Sequence, residues 1–101
     1  MKLIRLNNGI KVGSVVQEER ESLNDLNKCN YNGTFYISVN ALNMPDKSYE
    51  YGQLIVSRNY DTVVQLAFRF DNIDSFKVRV GRYLDSPREE WFPWKTFKST
   101  D

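Results

Sequence analysis

The sequence predicts a mainly β protein: a small antiparallel sheet of about five strands plus an N-terminal hairpin, with one short helix near residues 17–27. Two observations carry that prediction. Residues 62–70 alternate strictly, with Val64, Leu66, Phe68 and Phe70 on one parity and Val63, Gln65, Ala67 and Arg69 on the other, the period of two expected of a half-buried strand. Throughout the chain, short β-branched and aromatic runs are separated by clusters of Asn, Asp, Gly, Pro and Ser, which supply turns.

In order, residues 2–6 and 10–16 are β-type runs joined by Asn7-Asn8-Gly9, a hairpin signal because these residues tolerate positive φ. Gln17 to Asn27 is rich in Glu and Arg and spaces Leu23 and Leu26 three apart, which gives a short helix one narrow apolar stripe. Asn30-Tyr31-Asn32-Gly33 is a turn, and Thr34 to Val39 a strand. Ala41 to Tyr51 reads as a loop whose Tyr49 and Tyr51 are candidate contact residues.

Gly52 to Arg58 is the next strand, followed by the tight turn Asn59-Tyr60-Asp61 and the alternating strand 62–70. Beyond the turn 71–75, Phe76 to Tyr83 repeats the alternation, with Phe76, Val78 and Val80 expected inward and Lys77 and Arg79 outward. A polar connection containing Pro87 leads to a last strand from Trp91 to about Phe97, and the final three residues are expected to fray. Trp91-Phe92-Pro93-Trp94 holds both tryptophans. Pro93 donates no ladder hydrogen bond and holds Phe92 extended, so the stretch reads as an edge strand or arm with both indoles on nearly the same side.

Composition bounds the chemistry. A chain of 101 residues makes one modest core, and a net charge of +1 lacks the basic excess of a nucleic-acid module. Stacking of single-stranded nucleic acid on the aromatics is disfavoured for the same reason, since such binding depends on phosphate neutralisation. The chain has no histidine, which excludes triads built on it and removes the commonest metal ligand. The single Cys29 forms no internal disulfide and reads as a structural thiol. Glu89-Glu90 and the pair Asp71/Asp74 read as solvated turn residues rather than a glycosidase pair, and no EF-hand spacing is present. No apolar run suits a signal peptide or a membrane span. A non-enzymatic protein with no cofactor and no metal is expected.

Binding is better provided for. Trp91, Trp94, Tyr49, Tyr51, Tyr60 and Tyr83 offer flat faces with polar edges, and Arg69, Arg79 and Arg82 offer directed hydrogen bonds beside them. Against this stands the plain alternative that a tryptophan beside an arginine is a cation–π lid on the sheet.

An ordered series of pieces adds a resemblance. Asp25-Leu26-Asn27, Gly33-Thr34-Phe35-Tyr36 and Asn43-Met44-Pro45 are followed by Gly52-Gln53-Leu54-Ile55-Val56 and Val64-Gln65-Leu66. Lys77-Val78-Arg79 and Trp91-Phe92-Pro93-Trp94-Lys95 complete the series. This series resembles the pyocin-knob domain of phage tail fibres and R-type bacteriocin fibres, over about residues 24–97. Residues 1–23 stand outside it, as a fibre-shaft or accessory segment. The chain departs from the pattern in a longer connection between Arg79 and Trp91, carrying Tyr83 to Arg88, and in a glycine-free turn at 71–75.

The resemblance implies a phage or prophage tail-fibre or baseplate knob. Such a module contributes to recognition of host cell-surface polysaccharide, assembles with other tail or baseplate proteins, and is commonly a homotrimer. It belongs to the virion after cytoplasmic synthesis, with no nucleic-acid partner and no membrane insertion. The alternative is a trimerisation or spacer module with no ligand of its own. Candidate ligand-binding residues are Trp91, Tyr49, Tyr51, Tyr83 and Arg82. Gln65, Arg79 and Trp94 are signature positions read as structural, with Arg79 the expected stacking partner of the tryptophan pair.

Overall fold

Six antiparallel strands form one sheet in the computed structural model, which describes residues 24–101. They are β1 (Gly33–Tyr36), β2 (Gln53–Asn59), β3 (Thr62–Phe68), β4 (Ser75–Arg82), β5 (Glu90–Trp91) and β6 (Lys95–Lys98). The order runs β1-β2-β3-β4-β5, and β6 also pairs with β4, so the long β4 carries two short strands along one edge. The expected N-terminal hairpin and residues 17–23 of the expected helix lie outside the described residues.

The described end of that expected helix is a single 3-10 turn, Leu26–Lys28. Asp25 caps it by accepting from the Asn27 backbone N–H at 2.9 Å, and the Cys29 N–H closes it onto the Leu26 carbonyl. The turn therefore corrects the helix expected to run to Asn27. Leu26 and Cys29 are its anchors, both fully buried against the sheet. Loop 37–52 adds Ile37, Ala41 and Tyr49 to the same core. Leu84, in the connection 83–88, joins it too and donates its N–H to the Asp61 carbonyl at 3.1 Å.

The buried face of the sheet has the opposite parity to the one expected. Val63, Gln65 and Ala67 of β3 are fully buried, whereas Val64, Leu66 and Phe68 are only half-buried. On β4 Arg79 and Gly81 are buried, and Phe76, Val78 and Val80 lie half-buried on the other face. The reason is the nature of the cover. A short turn presents backbone carbonyls to the sheet, and buried carbonyls need donors. Gln65 supplies them: its Nε2 donates to both the Leu26 and Cys29 carbonyls at 2.8 Å. A strand facing a helix would meet few such groups and would turn its most apolar face inward.

The opposite face carries an aromatic stack. Phe68 and Phe76 lie 5.2 Å apart, and Phe76 and Phe97 5.7 Å apart, both nearly parallel. Ile55, Leu66 and Val78 are register neighbours across β2, β3 and β4 on this face. Its edges stay exposed, with Phe97 52% accessible.

Candidate binding cleft

The Trp91–Trp94 arm is bent by one extra residue. Trp91 pairs with Gly81 and Lys95 with Val78, so four steps on the arm oppose three on β4. That is a β-bulge, centred on a proline that could not have donated to the ladder. In a regular strand residues three apart point to opposite faces. The bulge reverses the parity between them, and both indoles reach the core face, as the sequence suggested. Phe92 goes to the other face, where the Arg82 guanidinium sits 4.8 Å over its ring.

Arg79 lies beneath the two indoles. Its guanidinium carbon is 4.1 Å from the Trp91 ring centroid and 4.6 Å from that of Trp94. Its Nε donates to Gln65 Oε1 at 2.8 Å and its Nη2 to Asn27 Oδ1 at 2.7 Å. Burial pulls the Arg79 pKa down to about 10, with the Asp25 and Cys29 charges acting in the other direction, so the side chain is still a cation at neutral pH. The expectation of an outward Arg79 is thus corrected, and its stacking on the tryptophan pair is found.

An open cleft of about 340 Å³ lies over this arrangement, walled by Met44, Trp91, Pro93 and Trp94, with Asn27 and Asn43 at its rim. Its parts hold one another. Trp94 Nε1 donates to the Asn43 carbonyl at 3.1 Å, and Trp91 Nε1 to Glu89 Oε2 at 2.9 Å. Asp25 Oδ1 accepts from Asn43 Nδ2 at 2.7 Å as well as from the Asn27 N–H, which ties both rim asparagines to one carboxylate. Trp91 also lies hard against Gly81: a Cβ there would meet the indole at 2.7 Å.

The other candidates disperse. Tyr49 ends the second 3-10 turn, Lys47–Tyr49, and only 2% of it is accessible. It is a core residue, which corrects its assignment to a contact surface; the Asp46-capped turn directs the ring beneath the loop. Tyr51 is exposed and packs edge-on against Phe70, near the β2 end that pairs with Phe68. Trp91 stands at the other end of the sheet, level with Gly81 and Val63. Tyr83 is covered on its ring by Arg82 at 5.1 Å and Arg88 at 4.2 Å, and Arg82 is paired with Glu90 at 3.0 Å. Of the five residues chosen as ligand contacts, only Trp91 lines the cleft.

Cys29 offers no nucleophile. It is fully buried, and desolvation, reinforced by Asp25, raises its pKa to about 12. Among the described residues no group of three or more acidic or cysteine side chains is placed to hold a metal ion, and no helix is long and apolar enough to cross a membrane. With a fixed cation, flat apolar walls and amide edges, the cleft is equipped to bind.

Asn27, Asn43 and Met44 were not singled out as contact residues, although each lies in a piece of the ordered series described above. Those pieces are distant in sequence and meet here: the Asp25-Leu26-Asn27 and Asn43-Met44-Pro45 stretches, Gln65, Arg79 and both tryptophans share one hydrogen-bonded and stacked assembly. In comparisons with known proteins, no family model, no curated protein and no solved structure matches the chain.

Proposed function

We propose that the chain is a non-enzymatic knob module of a phage or prophage tail fibre or baseplate that contributes to recognition of host cell-surface glycan. The observation that carries this reading is the cleft over Arg79, in which the residues of the knob-like series converge. Indole and thioether surfaces suit the apolar faces of a sugar ring, and the asparagine amides suit its hydroxyls. Under this reading the module works in the virion, beside other tail or baseplate proteins and as a homotrimer. Binding of the purified chain to a glycan array and to host cell wall tests it. Retention that is lost in Trp94→Ala supports the reading; no retention on either surface overturns it.

A second reading, a trimerisation or spacer module without a ligand, is favoured by the apolar outer face of the sheet. Ile55, Phe97 and the half-buried Phe68 and Phe76 give that face an apolar character that self-association would cover. Sedimentation separates the two. A stable trimer that dissociates on Phe97→Lys, with no glycan retention, selects the spacer.

A further inference from the structure

Arg79 is a buried cation with spare donors. Only 6% of the residue is accessible, and a guanidinium carries five N–H groups. One N–H is taken by Gln65 and one by Asn27, and Arg79 has no carboxylate ion-pair partner among the described residues. Asp25, whose charge favours the protonated Arg79, makes hydrogen bonds to Asn27 and Asn43, and Glu89 accepts from the Trp91 indole. A structural clamp of this kind needs only the two bonds already made. Arg79 lines the cleft, and the planar fork of a guanidinium suits a carboxylate through two parallel bonds. An arginine with no direct ion pair in a low-dielectric site costs stability, which an incoming anion would offset.

We infer that the cleft is an acidic-saccharide site, in which the Arg79 guanidinium takes the carboxylate of a uronic-type sugar while the ring rests against Trp94 and Met44. This deepens and rests on the glycan-binding reading. It selects one chemical class, since a neutral sugar would leave the cation as poorly paired as before.

The test follows the Trp91 and Trp94 indole N–H resonances of the full chain by NMR at low salt during titration with methyl glucuronide. Methyl glucoside, glucuronamide, sodium acetate and inorganic phosphate are titrated in parallel. The expected result is a saturable shift with the glucuronide, at least about tenfold weaker for both neutral sugars, as hydrogen bonds to a charged group require. Acetate and phosphate are expected to be weaker again, because they lack the ring. Arg79→Lys should weaken glucuronide binding and Arg79→Gln abolish it. If either variant fails to fold, the wild-type comparison of charged and neutral sugars decides alone. Equal binding of glucuronide and glucoside overturns the role of Arg79 and leaves the glycan reading standing. Acetate or phosphate matching the glucuronide overturns the saccharide assignment. No shift with any sugar, with retention on the glycan array, overturns this cleft as the site; no response in either assay removes both readings.

Discussion

Gln65 and Arg79 stand directly opposite each other on β3 and β4, and the Arg79 Nε donates to Gln65 Oε1 at 2.8 Å. The same amide passes two further bonds to the Leu26 and Cys29 carbonyls. One side chain therefore fastens the N-terminal cover to the sheet and orients the cation of the cleft. Gln65→Leu would keep the volume and take the bonded amide away from the Cys29 carbonyl and one guanidinium N–H, while the Leu26 carbonyl keeps the Cys29 N–H alone. Each buried group deprived of its partner in this way costs about 1–3 kcal/mol, so a loss of about 2 kcal/mol or more is expected in urea unfolding. A loss under about 1 kcal/mol would mean that water replaces the amide.

Gly81 and Trp91 make a second coupled pair. The indole occupies the space of a missing Cβ, at 2.7 Å from where that atom would stand. Gly81→Ala must displace the ring or bend β4, at a cost of about 1–3 kcal/mol. The displaced indole would also lift away from Arg79, so Trp fluorescence should change in the folded state. A variant with wild-type stability and spectrum would contradict this packing.

Strands and turns were legible because β-branched runs and Asn/Asp/Gly clusters act locally. The parity of burial was not. Both faces of β3 carry apolar residues, and hydropathy alone prefers Val64, Leu66 and Phe68 over a face containing Gln65. The choice is made by the carbonyls of a 3-10 turn that packs from 39 residues away, as the bond from Gln65 to Leu26 measures, and no local pattern encodes them. The bulge at Pro93 was half legible. Proline excludes a regular ladder there, but the one-residue offset shows only when Trp91 and Lys95 are set against Gly81 and Val78. Tyr49 was misjudged for a similar reason: loop composition does not say which rings turn inward.

Cys29 should behave as a protected thiol. Its pKa is raised from 9.0 to about 12, so the folded chain holds a proton that the unfolded chain releases above pH 9. Stability that is present below pH 9 is therefore lost as pH rises from 9 toward 12. Arg79, with its pKa lowered to about 10, acts in the opposite direction as it titrates, so the thiol is read from the difference between the wild type and Cys29→Ala. Between pH 9 and 10 the unfolding free energy of the wild type should fall relative to that of Cys29→Ala. A thiol reagent at pH 8 should label Cys29 only after denaturant is added; rapid labelling of the native chain would refute the burial.

Tyr60 turns the β2–β3 hairpin with φ at 61°, a left-handed conformation that costs a residue with a Cβ roughly 1–2 kcal/mol. The residue is 90% exposed and contributes little packing in return. Tyr60→Gly should stabilise the chain by about 0.5–1 kcal/mol, after the greater entropy of glycine in the unfolded state is set against the relieved strain. Thermal unfolding measures it, and a lower midpoint would show that the tyrosine has a packing role.

Deleting Pro93 tests how the cleft is built. Without the extra residue, four steps between Trp91 and Lys95 become three and match the three between Gly81 and Val78. The arm should then close into one continuous strand. If Trp91 and the last strand keep their registers, the two tryptophans become next-but-one neighbours, and Trp94 falls directly opposite Arg79 on the core face. The expected variant stays folded, because the sheet gains ladder bonds while the core residues keep their places. Trp94 should keep its contact with Arg79, seen as persistence of the corresponding contacts in NMR. A folded deletion variant in which Trp94 has left Arg79 would mean that the last strand slips its register rather than closing the bulge.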